Sequence, residues 1–209
     1  MTETHSETAT TPGRPSITEA KRRRMRREIA DIAKQLFQKE GYAKVSMRRI
    51  AGEIGCSPMT LYKYYDAKVD VLRTLWADVF RDLFDQLETV PEAHDRQLQG
   101  LGLAYVQYWL DHPDFYRLVF ISDGVTQSDV SVFIESPELV QRFEIFSQAL
   151  LDGHEDDLGS NELKAKLDAF ICFLNGIAHN MITISGYRWS EPDIMVAMAV
   201  RAVTAQAAR

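Results

Sequence analysis

Residues 46–68, SMRRIAGEIGCSPMTLYKYYDAK, put hydroxyls, cations and phenols at spacings that suit a polyanion. Ser46, Ser57, Thr60, Tyr62, Tyr64 and Lys68 are the side-chain types that meet phosphate oxygens; such contacts position a helix without carrying sequence information. Arg48 is the type that reaches a guanine edge bidentately. Met59, Thr60, Lys63 and Tyr64 fall on the side of a short second helix that faces outward, and a recognition helix offers its N-terminal residues to base edges in the major groove. Met47 and Pro58, at the starts of the two helices, complete the candidate surface.

Local signals dictate the elements that carry these groups. Ser46 is a good N-cap, and Met47, Ile50, Ala51 and Ile54 follow at helical spacing as one apolar face. Gly55 can take the left-handed conformation that ends a helix in a sharp turn. Cys56 plugs the turn, Ser57 caps the next helix, and Pro58 sits where a missing N–H costs nothing. The second helix is expected over 58–64, with Leu61 and Tyr65 against the first. An ordinary core hairpin is the competing reading, but it has no use for three basic groups and two tyrosines on one outward face.

These residues resemble the TetR family of bacterial transcriptional regulators. The matching pattern is Phe37, Gly41, Tyr42, Ser46, Met47, Ile50, Ala51, Gly55, Cys56, Ser57, Leu61, Tyr62, Tyr65 and Lys68, spread over some 30 positions at fixed spacing. Two positions depart from it. Tyr65 stands where the family has Phe, so its hydroxyl needs a partner. Ala67 stands where a capping Ser or Asn is usual, leaving Asp66 to cap one residue earlier or the next helix to fray. The resemblance implies an all-α fold: a three-helix head, a long linking helix and a helical ligand-binding and dimerisation body.

The rest of the chain fits that outline. Residues 1–16 are rich in Thr, Ser, Glu and Pro and lack periodicity, as expected of a disordered arm. Within them Gly13-Arg14-Pro15 could enter a minor groove, or be only solvated tail. Residues 17–67 form the expected DNA-binding domain. Its first helix, over 17–40, carries Ile29, Ile32, Ala33, Leu36 and Phe37 on one face and Lys21, Arg22, Arg23, Arg24, Arg26 and Arg27 in its first turns, a source of phosphate attraction. Residues 68–209 form the expected body. A helix over 68–88 ties head to body, and further helices are expected over 98–110, 115–120, 137–151, 163–185 and 191–208. A loop around Gly124 and an acidic loop over 152–160 separate them; the latter, with His154, Glu155, Asp156 and Asp157, reads as solvated rather than as a metal site. The last two helices carry small residues that could pair with the same two of a second copy.

Charge divides along the chain. Residues 1–70 hold 14 Lys and Arg against 9 Asp and Glu, while residues 71–209 hold 10 against 21, within an overall charge of −6. A basic head on an acidic body is the footprint of a protein that takes DNA at one end only. Two cysteines, Cys56 and Cys172, both in apolar settings, point to a reducing compartment without disulfides. No secretory signal and no membrane span is expected, so the cytoplasm is the expected location.

The resemblance also implies a small-molecule pocket inside the body. Its candidate liners are Tyr105, Tyr108, Trp109, Phe143, Phe146, Asn175, His179 and Met181, aromatic or polar groups on apolar faces that are equally compatible with ordinary core. No cofactor or metal is expected: the sequence has no Gly-rich phosphate loop, no metal-spaced set and no nucleophile with a plausible base. The leading reading is a dimeric, ligand-responsive repressor of a pseudo-palindromic DNA operator. A helical enzyme with an accessory DNA head, or a non-specific DNA-organising protein, remains as an alternative. Turnover of a small molecule would mark the first, and equal affinity for random DNA the second.

Overall fold

A computed structural model describes residues 17–92, 96–152 and 159–205. The candidate arm and the acidic stretch around His154 lie outside these residues. Among the described residues there are ten α-helices, one 3-10 turn and no strand. The all-α expectation is met.

The head is built from α1 (Ile17–Glu40), a 3-10 turn (Tyr42–Lys44), α2 (Met47–Ile54) and α3 (Pro58–Tyr62). Gly41 turns the chain at φ 84°, and Tyr42 folds back edge-on against Phe37 at 5.1 Å between centroids. The head core gathers Ile29, Ala33, Phe37, Ile50, Leu61 and Tyr65. It does not stop where α4 (Lys68–Leu87) begins: Val71, Leu72, Leu75 and Trp76 belong to it as well. Val79, Phe80, Leu83, Phe84 and Leu87 then enter the body core. One helix of 20 residues, about 30 Å long, therefore takes part in both cores.

The body adds α5 (Gln97–Asp111), α6 (Pro113–Phe120), α7 (Gln127–Ile134), α8 (Pro137–Asp152), α9 (Ser160–Thr183) and α10 (Pro192–Thr204). As its nearly all-round apolar sequence demands, α5 sits at the centre, against α4, α8, α9 and α10. Gly102 makes this possible: a Cβ there would lie 2.9 Å from the Phe170 ring and 3.0 Å from Val196.

One expectation fails here. The stretch after Gly124, read as a loop from its Ser and Asp content, contains α7. Thr126 and Asp129 form a reciprocal cap, the Thr126 hydroxyl accepting from the Asp129 amide at 3.2 Å and the Asp129 carboxylate accepting from the Thr126 amide at 3.2 Å.

Candidate nucleic-acid interface

The turn forms as its residues predict. Ser46 Oγ accepts from the Arg49 amide at 3.1 Å, and Gly55 closes α2 in the left-handed region at φ 77°. Ser57 Oγ accepts from the Thr60 amide at 3.2 Å and lies 2.9 Å from the Thr60 hydroxyl. Leu61, fully buried, pins α3 to the head. The opposite side of α3 faces solvent: Met59 is 72% exposed and Tyr62 47% exposed, with Ser57, Pro58 and Lys63 exposed beside them. Helical α3 ends at Tyr62, shorter than 58–64, and Lys63 and Tyr64 continue as turn.

The neighbouring arginines divide their labour. Arg48 is exposed and makes no ion pair among the described residues. Arg49 instead joins Glu40 at 2.9 Å and Glu53 at 2.6 Å, tying α2 to the end of α1. Sequence periodicity alone does not separate the two; the acidic residue four positions after Arg49 is the signal that does.

Three candidate residues serve the head's own structure. Met47 is a correction: only 7% exposed, it packs in the core with Ile50 and Ala51, as its place on the apolar face of α2 requires. Lys68 points back into the head, donating to the Tyr42 carbonyl at 2.7 Å with its ammonium 3.9 Å from the Tyr42 ring centre. Burial lowers its pKa. Tyr64 is half-buried against the head core, and its carbonyl accepts from Arg26.

Both departures from the family pattern are accommodated. The Tyr65 hydroxyl donates to the Arg26 carbonyl at 3.1 Å, and the Arg26 guanidinium lies over the Tyr65 ring at 4.2 Å. Asp66 does not cap α4, nor is its start left uncapped: Asp70, at the third position, accepts from the Ala67 amide at 2.9 Å. Another correction concerns Cys172, which is exposed on α9 rather than buried; Cys56 is half-buried in the turn.

Four of the eight candidate pocket residues form packed core. Tyr105, Tyr108, Trp109 and Phe146 are each at most 1% exposed. Tyr105 donates to Asn175 Oδ1 at 2.9 Å, and Tyr108 donates to the Val79 carbonyl at 3.0 Å and Asp82 Oδ2 at 3.1 Å. Phe143 stacks edge-on against Phe84 at 4.9 Å. His179 is exposed, 6.0 Å from the Tyr116 ring, and Met181 is half-buried. None of these eight lines the cavity of about 1030 Å³ that opens between α4, α7 and α8. Aromatics at helical spacing on a central helix pair edge to face and fill their own space, which is what happens around Trp109.

A helix-turn-helix head joined by one continuous helix to an all-helical body defines a class: the helical transcriptional regulators. The sequence profile of the bacterial regulatory proteins of the tetR family matches residues 29–75. The helix-turn-helix-type transcriptional regulator SAB2452 of Staphylococcus aureus is 44% identical over 175 residues, covering 78% of this chain and 88% of the relative. The chain belongs to the TetR family. It spans about half of another S. aureus regulator, SAR2658, with 35% identity over 93 residues, 42% of this chain and 49% of that one. The fold is that of regulatory protein SCO4313, at a TM-score of 0.67 and 20% identity over 92% of this chain and 98% of that one. A tetR-family protein of Rhodococcus RHA1 shares it at a TM-score of 0.59 and 17% identity, covering 86% and 94%.

Proposed function

We propose that this transcriptional regulator binds a pseudo-palindromic DNA operator as a homodimer, acts as a repressor, and is released by a small-molecule effector. The observation that carries the reading is the two-sidedness of α3: Leu61 is fully buried beneath a face on which Met59 is 72% exposed. The Met59 thioether, offered on a short rigid rod, suits a thymine methyl. Arg48 is the base-reading cation at the start of α2. Ser46, Ser57, Thr60, Tyr62 and Lys63 meet phosphate, and the exposed Lys21, Arg22, Arg23, Arg24 and Arg27 add long-range attraction.

The second copy docks on α9 and α10. Phe173 on α9 and Ile194 and Met198 on α10 are 45%, 53% and 58% exposed, and nothing lies within 4 Å of where a Gly176 Cβ would be. Two such helix pairs would make an isologous four-helix contact. The two α3 helices then reach successive major grooves, about 34–36 Å apart. An effector acts by favouring a different head separation.

The test is operator binding as a function of salt. Log K should fall linearly with log salt, by about 0.9 per phosphate neutralised; a flat plot contradicts phosphate anchoring.

A further inference from the structure

The basic run at the start of α1 divides at Arg26. Thr18 to Arg24 are exposed throughout, whereas Met25 packs against the head core and Arg26 is half-buried beside it. Arg26 turns toward the end of the short helix α3. Its Nη1 donates to the Tyr64 carbonyl, and its guanidinium carbon lies 4.2 Å from the centre of the Tyr65 ring. Tyr65 answers with its hydroxyl, which donates to the Arg26 main-chain carbonyl at 3.1 Å. Arg26 is thus linked through side chain and main chain alike to two consecutive residues just past α3.

These links act on a helix that cannot fix its own direction. At five residues α3 is far below the length at which a helix holds its shape unaided. Ser57 caps its start, and Leu61 and Tyr65, one turn apart, are buried beneath it. Past Tyr62 the winding continues through bonds from the Lys63, Tyr64 and Tyr65 amides to the Thr60 and Leu61 carbonyls. Apolar burial is non-directional. It holds Leu61 and Tyr65 down but leaves a roll about the line that joins them, and that roll decides where Met59 and Tyr62 meet DNA. The Arg26 links are directional and sit at one end of that line.

We propose that Arg26 is a positioning residue for base reading: with Tyr65 it sets the roll of α3, and hence the sequence preference, without itself neutralising a phosphate. The proposal rests on the reading of α3 as the recognition helix. Groups that read bases must be held within about 0.5 Å of their working geometry by neighbours whose own rotamers are locked. A Phe in place of Tyr65 would keep the ring face and lose the hydroxyl link. A Lys in place of Arg26 would keep the charge, but it has no planar fork to lie on the ring and donate to Tyr64 at once.

The experiment is fluorescence anisotropy over a range of salt with two duplexes of equal length: the sequence that the wild-type chain enriches from a random library, and a scrambled one. The chains are wild type, Arg26→Met, Arg26→Lys, Tyr65→Phe and, as a phosphate control, Arg23→Met. Stoichiometric titration fixes the active fraction of each, so that a loss of stability does not enter the affinities. Arg26→Met should lose about tenfold of the discrimination between the duplexes, the worth of one base contact. Its affinity for the scrambled duplex and its salt slope should match wild type. Arg26→Lys should lose discrimination in the same way despite its charge. Tyr65→Phe should lose a part, and that loss should not add to the loss in Arg26→Met. Arg23→Met should instead weaken both duplexes alike and lower the slope by about 0.9 per head. Arg26→Met behaving as Arg23→Met does, or discriminating as well as wild type, overturns the proposal. If Arg26→Met does not fold, full discrimination by Arg26→Lys overturns it equally. A wild-type chain that fails to distinguish the two duplexes overturns the reading of α3 itself.

Discussion

The indole Nε1 of Trp76 donates to the carbonyl of Leu118 at 3.1 Å in a fully buried contact between α4 and α6. It closes the head core with a residue from the body, since Leu118 packs among the head's apolar side chains. Lys34 of α1 adds a second tie, its ammonium 4.2 Å from the Phe115 ring centre. Movement of α6 is therefore felt at the head through α4 and through α1. Trp76→Phe removes this donor while the Ser122 hydroxyl stays on the Leu118 carbonyl at 2.8 Å, and should cost about 0.5–1.5 kcal/mol, measured by denaturant unfolding. The proposed ligand response should weaken along with it, read as a smaller change in operator affinity at saturating effector.

Lys63 and Arg48 should fail differently. Lys63→Ala should weaken binding to all sequences alike and lower the salt slope by about one. Arg48→Ala should relax preference at a single position, by about 1–3 kcal/mol of discrimination. Equal loss on every sequence for Arg48→Ala would remove it from base reading.

Met47→Ala separates support from contact. Since Met47 is buried with Ile50 and Ala51, truncation should lower stability by about 2–5 kcal/mol. Thermal unfolding reports it. A variant of unchanged stability with weakened DNA binding would return Met47 to the interface.

Gly102→Ala tests how closely the body helices approach. Intrinsic helix propensity favours Ala over Gly by about 1 kcal/mol. Against it stand the Phe170 ring at 2.9 Å and Val196 at 3.0 Å from the new carbon. Overpacking should win, with a net loss of about 1–3 kcal/mol in denaturant unfolding. A stabilised variant would mean that α5, α9 and α10 pack more loosely than described.

Alkaline pH should unfold the body through its buried phenols. Burial pushes the Tyr116 hydroxyl up to about 12, and burial also raises Tyr105 and Tyr108. In the unfolded chain a tyrosine ionises near its ordinary value of about 10. The unfolded state therefore loses its protons first. The stabilisation is complete below pH about 10 and is lost as pH rises towards the folded value. Stability measured between pH 9 and pH 12 should fall, less steeply in Tyr116→Phe.

Much of the head was legible because its signals are local. Ser46, Gly55 and Ser57 each fix a backbone conformation within a turn of themselves, and the structure has all three where their chemistry places them. What was not legible depends on tertiary neighbours. Met47 and Lys68 have exposed counterparts in type, and only the packed head shows that one fills its core and the other returns to Tyr42. The α7 helix was hidden by its polar start, although Thr126 and Asp129 carry a capping signal at the right spacing. Without α7 the groove it forms with α4 and α8 has no signature in the sequence, and the aromatic stripe of α5 is compatible with pocket wall or core until its packing is seen.

The interface proposed on α9 and α10 can be broken without touching the head. Phe173→Glu/Met198→Glu places charges on exposed apolar positions and should give a folded monomer in analytical ultracentrifugation. Operator affinity should fall by several orders of magnitude while the residual salt dependence is about halved.

The most direct measurement is selection of bound sequences from a random-sequence DNA library by the purified chain. Two inverted half-sites should emerge, their centres one helical turn or a multiple apart, with preference concentrated where α3 and Arg48 sit. No enriched sequence, or a single unpaired half-site, would contradict a paired recognition helix.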